Sequence, residues 1–142
     1  EATAAQRGAA FRVSLDDTIP EMPLAADSLH EAFQNLLSNA LDALVPDRPG
    51  EIELTSRLDL AAGVARVTVR DNGSGIAPEH GERIFHLFYS TKGRGGTGIG
   101  LAVTRKIIEE HGGRIEFISE PGQGTTFTVL LPLERRVTPP IF

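Results

Sequence analysis

The chain has 142 residues, 15 of them Gly and none Cys, with 14 Lys plus Arg against 19 Asp plus Glu and a formal net charge of −5. That length suits one domain able to bury a core without staples. The missing cysteines exclude a disulfide framework, a thiolate metal site and a cysteine nucleophile, and the acidic balance argues against a nucleic-acid partner, which needs a basic face. No apolar run approaches the roughly 18 residues of a membrane span. A cytoplasmic setting is expected, and the start at Glu1 rather than Met suggests a piece of a longer protein.

Residues 1–10 read as linker from an upstream domain, 11–133 as one domain, and 134–142, with Pro139 and Pro140, as tail. Phe11, Val13 and Leu15 alternate with polar residues, predicting a strand that ends before Ile19-Pro20. A long helix is expected from Asp27 or Ser28. Ser28 and Glu31 form a capping-box pattern, and Leu29, Phe33, Leu36, Leu37, Ala40, Leu41 and Leu44 recur at helical spacing until Pro46, Pro49 and Gly50 end the run. Glu51–Leu58 and the run through Ala65, Val67 and Val69 predict a hairpin turning at Gly63. A short helical stretch over Pro78–Phe85 and a second long helix from about Ile99 to a stop at His111-Gly112-Gly113 follow. Arg114–Ser119 and Thr125–Leu131 predict a closing hairpin. Strand, helix, hairpin, helix, hairpin is no repeated βαβ alternation, so an α+β fold with helices on one face of a mixed sheet is expected.

Four features carry chemistry. Glu31, Asn35, Asn39 and Asp42 share one helical stripe, which is either a solvated face or a set of oxygen donors suited to Mg²⁺. Asp71-x-Gly73-x-Gly75-Ile76 is either an ordinary turn or a base pocket whose carboxylate accepts from an exocyclic amine. Five glycines in the eight positions Gly93–Gly100 lead into a helix beside Lys92 and Arg94, the makings of a phosphate site at a helix N-terminus. Gly122-Gln123-Gly124-Thr125-Thr126 turns one strand into the next. Gly93, Gly95 and Gly98 also satisfy a dinucleotide fingerprint, but no strand precedes them and a hairpin follows, so that pattern is a decoy. The four histidines lack metal-ligand spacing and read as surface or partly buried residues.

In order, Asn35-x-x-x-Asn39-Ala40, Asp71-x-Gly73-x-Gly75-Ile76, Phe85-x-x-Phe88, Gly96-x-Gly98-x-Gly100-Leu101 and Gly122-x-Gly124-Thr125-Thr126 resemble the N, first glycine, F, second glycine and third glycine boxes of sensor histidine kinases. The resemblance covers about Phe11 to Leu133. It implies the Bergerat fold, a two-layer α/β sandwich with a mixed sheet, helices on one face and a mobile ATP lid over Phe85–Gly96. It also implies ATP and Mg²⁺ as cofactors. By position, Asn39 would coordinate the metal, Asn35 would lie by the phosphates, Asp71 would bind the adenine amine, and Gly73, Gly75 and Ile76 would shape the base pocket. Phe88, Lys92, Arg94, Gly96, Thr97, Gly98, Gly100, Leu101 and Thr125 complete the implied nucleotide site, with Asn35 and Lys92 in catalytic roles. Ser90-Thr91-Lys92 in a short lid is similar to the nitrogen-regulation and oxygen-sensing branch.

Two departures bear on chemistry. Asn35 stands where hydrolytic relatives carry a glutamate base, and a neutral amide takes no proton from water. Asp42 and Ala43 stand where many sensor kinases carry a basic residue and a tyrosine, leaving phosphate charge to Mg²⁺, Lys92, Arg94 or Arg105. His30-Glu31 lacks the proline of a phosphoacceptor box, so the accepting histidine is expected on a separate dimerisation domain. The implied partners are that domain of the same protein, in a homodimer, and a response regulator. Competing expectations are a non-catalytic nucleotide-sensing module and an anti-sigma-type serine kinase on the same fold.

Overall fold

The computed structural model describes residues 9–22, 24–86 and 100–133. Five strands form one sheet in the order β1-β2-β3-β5-β4, comprising β1 (Ala10–Ser14), β2 (Glu51–Asp59), β3 (Val64–Asp71), β4 (Arg114–Glu120) and β5 (Gly124–Pro132). β1 pairs with β2 in parallel and every other pairing is antiparallel, which is the mixed sheet expected from the element order. Helices α1 (Ala26–Ala43) and α2 (Gly100–Glu110) and a 3-10 turn over Gly81–Phe85 complete the described elements.

The core lies between the helices and one sheet face. Leu36 and Ala40 of α1, Ile107 and Ile108 of α2, and Ile52, Val69, Phe127, Val129 and Leu131 of the strands are buried together. Alternate residues of β3 and β5 point inward, as period-two geometry requires. Phe85, Phe117 and Phe127 meet with ring centroids 5.8–6.3 Å apart, so the 3-10 turn is anchored to β4 and β5 through aromatic edges.

Two local expectations are corrected and a third, the short helical stretch, is made specific. α1 begins at Ala26, ahead of the Ser28/Glu31 box; its N-cap is Ala25, which has no side-chain cap, and the Ala25 N–H instead donates to His111 Nε2 at 3.1 Å. The N-cap donor is therefore met by a tertiary contact in place of a local one. Pro78–Phe85 is a turn followed by five residues of 3-10 helix, too short for an α-helix. His111 is buried at 7% exposure, where the sequence suggested a surface or partly buried residue.

The first strand forms at the sheet edge, where Val13 stays 46% exposed, but it ends at Ser14, so Leu15, read as part of the same alternation, lies just beyond it and is 65% exposed. α2 stops as its glycines predict, with Gly112 at φ 76°, Gly112 N–H to Glu109 O and Gly113 N–H to Ile108 O, which is a Schellman arrangement.

Candidate nucleotide site

β3 is the central strand, and Asp71 is its last residue. Its parity with Val67 and Val69 turns the side chain toward the helices, where it is only 5% exposed. The carboxylate accepts from Gly73 N–H at 2.8 Å and from the backbone of Thr125, its cross-strand partner. Burial raises its pKa above the ordinary 3.8, and the two backbone donors offset part of that rise.

Three clamps hold the loop after Asp71. Ser74 N–H donates to Ala43 O at 2.9 Å, joining the loop to the end of α1, and Gly122 N–H donates to Ser74 O at 2.7 Å, joining it to the β4–β5 turn. Arg48 closes the outer side, with Nε and Nη2 donating to Asn72 O at 3.0 and 2.6 Å and Nη2 to Gly73 O at 2.8 Å. A Cβ on Gly73 would lie 2.2 Å from Ala43 O, and one on Gly75, at φ +75°, would lie 2.2 Å from Glu120 O. These two glycines are demanded by the protein's own backbone, whatever ligand the loop meets.

The third glycine turn comes to the same place. A Cβ on Gly124 would lie 2.1 Å from Asp71 O. Ser119 Oγ accepts from Ile76 N–H at 2.7 Å, lies 2.8 Å from Thr125 Oγ1 and donates to Gly124 O at 3.1 Å. Ser119 thus ties Ile76, Gly124 and Thr125 together, and Asp71 joins the group through Gly73 N–H and its close approach to Gly124.

α1 supplies the second wall. Asn35 and Asn39 are half-buried beside fully packed Leu36 and Ala40, while Glu31 and Asp42 of the same stripe are exposed. Asn35 Nδ2 donates to Gly100 O at 3.3 Å, so the first asparagine meets the start of α2. The same carbonyl accepts from buried Thr104 Oγ1 at 2.8 Å. Leu101 is half-buried against the core. Phe88, Lys92, Arg94, Gly96, Thr97 and Gly98 lie outside the described residues. Arg105 has its charge engaged, with its guanidinium 5.1 Å from the Phe85 ring centroid, 3.6 Å from Glu82 and 3.4 Å from Glu109.

Reasoning from sequence missed Arg48, Ser119 and His111. Ser119 left a signal, since it is a hydroxyl at an inward position in line with Ile115 and Phe117. Arg48 left none, because it falls in the proline-rich stretch read as a helix stop.

The profile of the histidine kinase-, DNA gyrase B- and HSP90-like ATPases matches residues 25–135, and the chain belongs to that family. It is 40% identical over 123 residues to the sensor histidine kinase ZraS of Escherichia coli (strain K12), covering 87% of this chain and 25% of ZraS. It is 36% identical over 138 residues to the sensory histidine kinase/phosphatase NtrB of Vibrio alginolyticus, covering 92% of this chain and 39% of NtrB. The chain therefore spans well under half the length of these relatives. The catalytic domain of histidine kinase ThkA superposes with a TM-score of 0.80 at 30% identity, covering 94% of this chain and 86% of that one. Full-length ShkA in complex with AMPPNP gives 0.80 at 27% identity, covering 92% and 27%. The resemblance to sensor histidine kinases and their α+β fold holds, and the likeness to NtrB is consistent with the nitrogen-regulation branch. No described helix is long and apolar enough to cross a membrane.

Proposed function

We propose that this chain is the ATP-binding catalytic domain of a two-component sensor histidine kinase. It would present ATP so that the γ-phosphorus–oxygen bond breaks, a bond to an imidazole nitrogen of a separate histidine domain forms, and ADP and the imidazole proton leave. The observation that carries this reading is Asp71, a buried carboxylate at the end of the central strand, aimed by two backbone N–H groups and flanked by a loop clamped on three sides. Such a carboxylate accepts from the adenine amine and repels a carbonyl at the same place, selecting adenine over guanine. From Ala43 at the base loop back to Asn35 at Gly100, α1 advances about 12 Å, so its asparagine stripe would run beside the sugar and phosphates.

Mg²⁺ fits this donor set. Asn39 offers a neutral, hard amide oxygen on that stripe, the oxygen-donor type that Mg²⁺ accepts alongside phosphates and waters. The ion would then be held by Asn39 together with phosphate oxygens, and would neutralise charge on the transferred group. Lys92 and Arg94 are the cations proposed for the phosphates, Phe88, Gly96, Thr97 and Gly98 complete the nucleotide contacts, and Asn35 positions the phosphates without acting as a base for water. A homodimer carrying the acceptor histidine, and a response regulator receiving the phosphoryl group, are the proposed partners, in the cytoplasm.

Calorimetric titration with Mg-ATP tests this. Wild type is expected to bind, and Asp71→Asn to lose about 1.5–3 kcal/mol, the worth of a hydrogen bond to a charged acceptor. Equal binding by the two proteins, or none by either, would sink the proposal. Joined to a histidine domain, the chain should yield an acid-labile phosphoprotein; an acid-stable one would indicate a serine kinase, and tight binding without transfer a nucleotide-sensing module.

A further inference from the structure

His111 closes α2, is buried, and reaches the opposite end of α1 from the nucleotide loop. Its Nε2 faces the Ala25 N–H at 3.1 Å, and its Nδ1 lies 2.8 Å from Ile107 O. A backbone N–H only donates, so Nε2 must keep its lone pair; a carbonyl only accepts, so Nδ1 must carry the proton. The two contacts together leave one form, the neutral Nδ1–H tautomer.

The Ala25 N–H is the group that a capping-box glutamate would take, and α1 has no side-chain cap of its own. His111 takes that role from another helix. The pairing of Ala25 with His111 and of Asn35 with Gly100 makes α1 and α2 antiparallel, pinned at two points. The pins match in length, since ten residues along α1 and eleven along α2 each advance about 15–17 Å. One pin is a proposed phosphate-site residue. The other is remote from it.

From this we propose that His111 is a positioning residue: as the Nδ1–H tautomer it caps α1 in trans and holds the register of α1 against α2, so that Asn35 and Asn39 stay facing the start of α2. The consequence for nucleotide binding rests on the proposed ATP-binding function, but the tautomer and the brace do not.

Long-range proton–nitrogen spectra of the ¹⁵N-labelled wild-type chain at neutral pH should show His111 protonated at Nδ1 and bare at Nε2. An Nε2–H form or an averaged mixture overturns the assignment, whether or not ATP binds. His111→Gln can accept from Ala25 and donate to Ile107, and is expected to keep ATP affinity within about twofold. His111→Phe fills the space with neither bond and should weaken ATP binding about fivefold, the equivalent of a typical lost helix cap, with faster amide exchange in the first turn of α1. Equal affinity and equal exchange in the two variants overturn the positioning role. If His111→Phe fails to fold, retention of slow first-turn exchange and affinity in His111→Gln supports the brace, and loss of both overturns it. Should wild type bind no ATP, the exchange comparison alone decides.

Discussion

Asp71 sits where the central strand ends, and its burial has two opposed consequences. The carboxyl pKa lies above the ordinary 3.8 chiefly because burial penalises the charged form. The folded chain thus holds this proton more tightly than the unfolded chain. Above the raised pKa the ionised group costs stability; as pH falls through that value toward 3.8, protonation relieves the cost and the contribution to stability rises. The same protonation removes the acceptor proposed for adenine. ATP affinity measured by calorimetry should therefore fall across this window as pH is lowered, while Asp71→Asn shows a flatter profile. Gly75 is the second decisive residue, because φ +75° and a Cβ position 2.2 Å from Glu120 O leave no room for alanine. Gly75→Ala should lose at least about 1–2 kcal/mol from the left-handed backbone alone, read as a lowered urea midpoint; an unchanged midpoint would contradict the close contact.

Among the elements, α1 does most to join the proposed site together. Its last residue holds Ser74, its middle turns carry Asn39 and Asn35, and its N-cap is tied to the far end of α2. The segment following it returns through Arg48, which straps the carbonyls of Asn72 and Gly73. A guanidinium presents its donors in a planar fork that an ammonium does not copy. Arg48→Ala should cost roughly 1.5 kcal/mol or more and speed amide exchange at Ser74, whose bond to Ala43 depends on the loop position. Arg48→Lys should recover only part of that protection, and full recovery would show that charge, not the fork, matters.

At the scale of the molecule, the 3-10 turn is bound to the sheet by aromatic packing and not by charge. Phe85 is 6% exposed and meets Phe117 and Phe127 edge-on, whereas the acids paired with Arg105 are 59–70% exposed and screened by water. Phe85→Ala should destabilise by about 3–5 kcal/mol, a large share of the roughly 5–15 kcal/mol of a whole domain. Thermal unfolding checks this, with Arg105→Ala as the comparison, expected near or below about 1 kcal/mol.

By itself the sequence determined the element order, the mixed sheet, the helix stop at Gly112-Gly113 and the family, because these depend on local spacing and on residue types with strong backbone preferences. It also marked Asp71, Gly73, Gly75 and Thr125, since turn residues and an acid after a strand are visible in one dimension. Only the tertiary structure decided what meets the N-cap of α1, where Ala25 pairs with His111 eighty-six residues away, and the convergence of Ile76, Gly124 and Thr125 on the Ser119 hydroxyl. The same holds for the reason behind the glycines of the loop after β3 and of the β4–β5 turn. Composition suggested room for a nucleotide. The fold shows that Gly73, Gly75 and Gly124 are also required by carbonyls of Ala43, Glu120 and Asp71, contacts between distant segments that no local pattern encodes.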